Sequence, residues 1–171
     1  SRWDIIQYSL ANLPQWANAP FDNVSDDNHT YYYKIISVSQ PAMPIILNSS
    51  NLIRSETPTE GIDEKTMWVI KKVGAADDDN DLLDFYTFQN VFNGKLLYYN
   101  GKGRSYNGSV LQLGMPTTEG AIEAWSHFVI VQTATGYNII PRSIIDETKA
   151  INRTSDNEGF NCLNRRGGGD A

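Results

Sequence analysis

The sequence predicts an all-β fold of three repeated units, each of four short strands, packed around a shared pseudo-threefold axis. Three observations predict it. Residues 85–131 hold four strand patterns in under fifty residues with no helical period between them, which argues for antiparallel β-structure. A strand rich in aromatic residues recurs: YYYKIIS, DFYTFQN and GYNIIPR align to bring Tyr33, Tyr86 and Tyr137 near equivalence, 53 and 51 residues apart. A tryptophan opens the last strand of the first two units, at Trp68 and Trp125, 57 residues apart.

At the start of the chain, WDIIQY (Trp3 to Tyr8) is apolar enough for a strand. LANLPQWANAPFDN, with Pro14 and Pro20, reads as an irregular connector or one short helical turn. Trp16 and Phe21 in it are expected to plug the base of a core. Residues 1–30 are therefore an N-terminal strand and connector, and residues 31–171 form the repeat region, with units at about 31–74, 84–132 and 136–171.

The first unit reads YYYKIISV, PIILNS, NLIRS and then WVIKKV. In the second, Phe85, Thr87 and Gln89 alternate with Tyr86, Phe88 and Asn90, as a strand requires. Asn93-Gly94 tolerates positive φ and should turn the chain tightly into Lys95–Asn100. Gly101–Gly108 loops out, Val110–Leu113 is the third strand, Met115–Gly120 is a Pro/Gly/Thr loop, and Trp125–Val131 closes the unit.

The third unit reads GYNIIPR, KAINRT and GFNCLNR, with no tryptophan strand after it. The start of the chain, Arg2-Trp3-Asp4-Ile5-Ile6, resembles Met67-Trp68-Val69-Ile70 and Ala124-Trp125-Ser126-His127-Phe128. An unpaired third unit would leave an open edge and a hole where an indole belongs. Two readings follow. The first strand supplies the missing twelfth, within one chain or across a dimer; or further chain follows Ala171 and Trp3 belongs to a linker.

Composition narrows the function classes. The chain has 171 residues, 40% hydrophobic and 20% charged, which suits one soluble globular domain. No apolar run approaches the roughly 20 residues that cross a bilayer, so membrane insertion is not expected. SRWDIIQYSL lacks the shape of a signal peptide, and a secreted protein would carry its signal outside this sequence. A net charge of −6 disfavours a nucleic-acid partner, whose phosphates call for clustered Lys and Arg.

Sites of catalysis or metal binding find little material. Cys162 is the single cysteine, so no internal disulfide holds the fold, and it reads as a small half-buried apolar residue rather than a nucleophile. His29 and His127 are not placed beside it by the sequence. Asp77, Asp79 and Asp81 have the alternate spacing of a calcium loop but lack its glycine and distant Glu, and read as a solvated hairpin tip. Gly167-Gly168-Gly169 lacks the context of a phosphate cradle. The sequons at Asn23, Asn28, Asn48, Asn107 and Asn152 carry no weight in so Asn-rich a chain. No two carboxylates stand out as a glycosidase pair. No enzyme activity and no cofactor are expected.

Three such units resemble the β-trefoil, and the middle one resembles a ricin-type lectin repeat. The residues that carry the likeness are Asn93-Gly94-Lys95-Leu96-Leu97-Tyr98, Val110-Leu111-Gln112-Leu113 and Glu123-Ala124-Trp125. They answer to the family's turn and second strand, its apolar third strand, and its closing Gln-x-Trp. The chain departs from the family where an Asp on the second strand would accept sugar hydroxyls, because Tyr98 stands there. Glu123 and Thr66 replace the closing Gln. The resemblance implies a non-catalytic carbohydrate-binding module, extracellular or of the cell envelope and part of a larger protein, with a glycan or polysaccharide as partner. The alternative is a trefoil that uses the same loops to bind another protein domain.

Carbohydrate recognition needs an aromatic face for the C–H side of a pyranose, and amide, carboxylate or Arg groups for its hydroxyls. The second unit offers both in Tyr98, Asn100, Arg104, Tyr106 and Asn107, with stacking on Tyr98 or Tyr106. Alternation sends Tyr98 and Tyr99 to opposite faces, one to the core and one to solvent. The competing reading is that these tyrosines serve interior or rim packing. The third unit, with Asn152, Arg153, Asn161 and Asn164, and the first, with Asn48, Asn51 and Arg54, are poorer in aromatic residues.

Overall fold

The computed structural model describes residues 2–8, 16–18, 25, 30–58, 64–75, 84–101, 109–114, 125–144, 149–154 and 159–164. Among these the fold is all-β. The strands are β1 (Trp3–Tyr8), β2 (Trp16–Asn18), β3 (Tyr32–Ser37), β4 (Ile45–Leu47), β5 (Ile53–Ser55), β6 (Trp68–Ala75), β7 (Asp84–Asn90), β8 (Leu97–Tyr99), β9 (Leu111–Leu113), β10 (Phe128–Gln132), β11 (Tyr137–Pro141), β12 (Lys149–Arg153) and β13 (Phe160–Asn164).

Six strands close into an antiparallel ring in the order β1, β3, β6, β7, β10, β11 and back to β1, and β2 is added on the far end of β1. Three two-stranded hairpins, β4–β5, β8–β9 and β12–β13, complete the architecture. Each hairpin follows one ring strand in the chain, as each sequence unit requires. Among the described residues each of the six ring strands has a partner on both sides, which lessens the hazard of unpaired strand edges.

The pairing registers repeat around the ring. Tyr33 faces Trp68, Tyr86 faces Phe128 and Tyr137 faces Trp3. On the other side of the same strands, Trp68 faces Asn90, Phe128 faces Pro141 and Trp3 faces Ser37. Tyr33, Tyr86 and Tyr137 therefore occupy equivalent positions, as their spacing predicts, and so do Trp3, Trp68 and Phe128.

The first strand fills the twelfth place within this one chain. Trp3 is fully buried, its ring centroid lies 5.8 Å from that of Phe160, and its indole N–H donates to the Ile151 carbonyl at 3.2 Å. Trp68 does the same in the first unit, donating to the Ile45 carbonyl at 2.9 Å. Each buried indole thus fills the core and ties down the first strand of its own hairpin with its one polar atom, so the buried N–H is satisfied.

Trp125 differs from the expectation. Phe128, three residues further on, holds the register place of Trp68 and Trp3, and packs edge-on against Phe88 at 5.3 Å. Trp125 is half-buried and lies against Tyr99, 6.2 Å between ring centroids. An aromatic plug is what the cavity demands, and Phe128 fills it without an N–H to place.

The main core joins these plugs to Ile5, Ile35, Ile70 and Ile139 from the ring and to Ile53, Leu111 and Phe160 from the hairpins. Those last three residues are equivalent by register, and the Val110 N–H donates to the Phe160 carbonyl at 2.9 Å where the second and third hairpins meet. Cys162, paired across from Ile151, is buried in this core.

Candidate functional site

Hairpin geometry decides which side chains face solvent. In β8, Leu97 and Tyr99 are buried and Tyr98 between them is half-exposed, as strand alternation predicts. Tyr98 sits across from Gln112, and its hydroxyl donates to Gln112 Oε1 at 2.6 Å. Register places two other pairs in the equivalent position, Ile46 with Arg54 on the first hairpin and Asn152 with Asn161 on the third, but there Ile46 and Asn152 are buried. Only the second hairpin presents an aromatic ring beside an amide there.

Tyr98 and Gln112 line a groove of about 620 Å³ between the first two hairpins. Asn51, Leu52 and Arg54 of the first hairpin form one wall, and Asn93, Lys95 and Ser109 lie on the other. The turn that presents Asn51 is shaped by Asn48, whose Oδ1 accepts the backbone N–H of Ser50 at 2.9 Å and of Leu52 at 3.0 Å. Asn51 itself has φ of 60°, a conformation that Asn tolerates better than most residues. The Asn93-Gly94 turn is also as expected, with Gly94 at φ of 71° and Lys95 N–H donating to Asn93 Oδ1 at 3.0 Å.

The junction between the third and first hairpins is closed by contrast. Arg153 reaches across it, donating through Nε to Ser55 Oγ at 3.1 Å and to the Ser55 carbonyl at 3.3 Å, with Nη2 3.0 Å from Met43 Sδ. Asn152 spends its amide on Asn161 Oδ1 at 3.1 Å and on the Arg153 carbonyl at 2.9 Å. Asn152, Arg153 and Asn161 of the third unit are thus engaged with one another and with the first hairpin.

Of the five residues expected to form the site, Tyr98 lies in the groove. Asn100 lies just outside it, and its amide donates to the Ser109 carbonyl at 3.0 Å, holding the two ends of the intervening loop together. Arg104, Tyr106 and Asn107 lie outside the described residues, as do Asp77, Asp79 and Asp81. Reading each unit by itself kept Asn51 and Arg54 apart from Tyr98, because the groove is shared between two units, and attention to the loop after Tyr99 passed over Asn93, Lys95 and Gln112 of Tyr98's own unit. The signal that could have found it is the threefold repeat, which sets neighbouring hairpins side by side.

Chemically the groove combines one ring face, three side-chain amides and two cations. Such a surface can stack against an apolar face and direct hydrogen bonds around it. Comparison of the chain with protein-family models, with curated proteins and with solved structures returned no match.

Proposed function

We propose that this chain is a β-trefoil carbohydrate-binding module, non-catalytic and lectin-like, working outside the cell or in its envelope as part of a larger protein. A closed six-stranded ring with three hairpins at equivalent registers supports the trefoil reading. The observation that carries the function is the half-exposed Tyr98 in a polar groove between two hairpins. A pyranose lies with its C–H face on the Tyr98 ring, while Asn51, Asn93 and Gln112 exchange hydrogen bonds with its hydroxyls. Ligand burial in so open a groove is partial, so single-site affinity is weak and avidity raises it.

A glycan screen at high protein concentration tests this. Tyr98→Ala removes the platform and is expected to weaken binding at least tenfold, whereas Tyr98→Phe keeps the ring and loses only the hydroxyl contact to Gln112. Equal binding by wild type and Tyr98→Ala would sink the assignment of the site. A protein-binding trefoil is the second reading, favoured by the exposure of Leu52 and Phe92, 46% and 50%, at the turns beside the groove. An absence of glycan binding together with a partner whose capture depends on Phe92 would favour it.

A further inference from the structure

We infer that the groove selects acidic saccharides, those bearing a sulfate ester or a uronate carboxylate, over neutral ones. The inference rests on the reading of the groove as a saccharide site and adds the charge of the ligand. The observation is the distribution of charge. The chain as a whole carries −6, yet the charged side chains that line the groove are both cations, Arg54 and Lys95, and no Asp or Glu lines it among the described residues. An acidic protein that sets aside one cationic groove creates there a local field opposite to its net charge, which attracts anions and repels the protein's own carboxylates.

The two cations differ in what they offer. Arg54 presents a planar guanidinium of five N–H donors, one of which (at Nη1) goes to the neighbouring Ile53 carbonyl at 2.7 Å. That bond uses one of the five donors, and the planar, forked geometry of a guanidinium suits two oxygens of a sulfate or carboxylate. Lys95 lies beyond the Asn93-Gly94 turn on the other wall and acts as a point charge. With Tyr98 also lining the groove, a ring-stacked sugar would place an anionic substituent toward one wall or the other. Position on the ring, rather than charge alone, would then govern selectivity.

Calorimetric titration with four probes tests the inference: a neutral oligosaccharide, its sulfated form, a uronate oligomer and inorganic sulfate. The sulfated or uronate probe is expected to bind at least tenfold more tightly than the neutral one. That margin should shrink severalfold between 0.05 and 0.5 M NaCl, because exposed charges are screened. Arg54→Gln is expected to remove about tenfold of the margin and Arg54→Lys to restore part of it, with thermal melting checking that each variant is folded. The difference between the sulfated and uronate arms identifies which anion the fork prefers. Equal, salt-insensitive binding of neutral and acidic probes would overturn the charge preference and leave the saccharide site standing. Binding of inorganic sulfate as tight as the sulfated sugar would reduce the groove to an anion site and overturn the inference. No binding of any saccharide would remove both readings.

Discussion

Single residues carry the chemistry, and their behaviour follows from which side of a strand they occupy. Tyr98 and Tyr99 are neighbours in sequence, yet one meets solvent and the other the core, because successive side chains leave a strand on opposite faces. The same rule puts Lys34 outside the ring between the buried Tyr33 and Ile35, across from Ile6 of β1. Partial burial there lowers the Lys34 ammonium from 10.5 to about 8. Between those two values the unfolded chain holds a proton that the folded chain has released, so this residue makes stability rise with pH from about 8 to 10.5. Below that window both states are charged, and the folded state bears the whole cost of desolvation. Lys34→Met is expected to stabilise the protein at pH 7 and to abolish this rise. Denaturant midpoints of both proteins at pH 7 and pH 10 provide the check, since tyrosine ionisation is common to the pair; a difference that stays constant with pH would contradict it.

At the scale of the element, the β8–β9 hairpin is the part of the molecule on which the candidate site depends. Leu97 and Leu113 pair at one end of it, Tyr99 and Leu111 at the other, and the outward pair Tyr98–Gln112 is held between them. Beyond Tyr99 the chain leaves through Asn100 and Gly101, and Gly101 has a requirement that no other residue meets. Its φ is 78°, and a Cβ there would lie 2.3 Å from Cη2 of Trp125. Gly101→Ala is therefore expected to destabilise by about 1–3 kcal/mol, through a strained backbone and a displaced indole. In the background of Trp125→Ala the steric share of that loss should vanish, so the two changes are non-additive in urea melts. Additive losses would show that Trp125 does not set the limit at Gly101. Trp125 was expected at the ring and is found here instead, against Tyr99 of the hairpin whose Tyr98 lines the groove.

For the whole molecule, closure of the ring by β1 is the decisive feature. Trp3 and Trp68 are both fully buried and both tie down a hairpin carbonyl, so Trp3→Ala should cost as much as Trp68→Ala, about 3–5 kcal/mol. A loss below about 1 kcal/mol for Trp3→Ala, measured by chemical denaturation, would mean that β1 is dispensable to the core. The groove is a property of the same scale. Its walls come from two different units, and among the described residues no side chain is seen to cross it as Arg153 crosses from the third hairpin to the first.

Much of this was legible in the amino-acid order. Alternation of apolar and polar residues, the Asn-Gly turn and the recurrence of Tyr33, Tyr86 and Tyr137 determined the strand class, the hairpins and the threefold register, since these depend on neighbours a few residues apart and on repetition. Tertiary structure alone decided that β1 closes the ring, that Phe128 rather than Trp125 takes the third aromatic place, and that Tyr98 shares a groove with Arg54 and Lys95. Each of these is settled by volume and hydrogen bonding between segments far apart in the chain. An aromatic plug must fill a cavity whose walls come from several strands, and local pattern cannot tell which of two nearby aromatic rings will reach it.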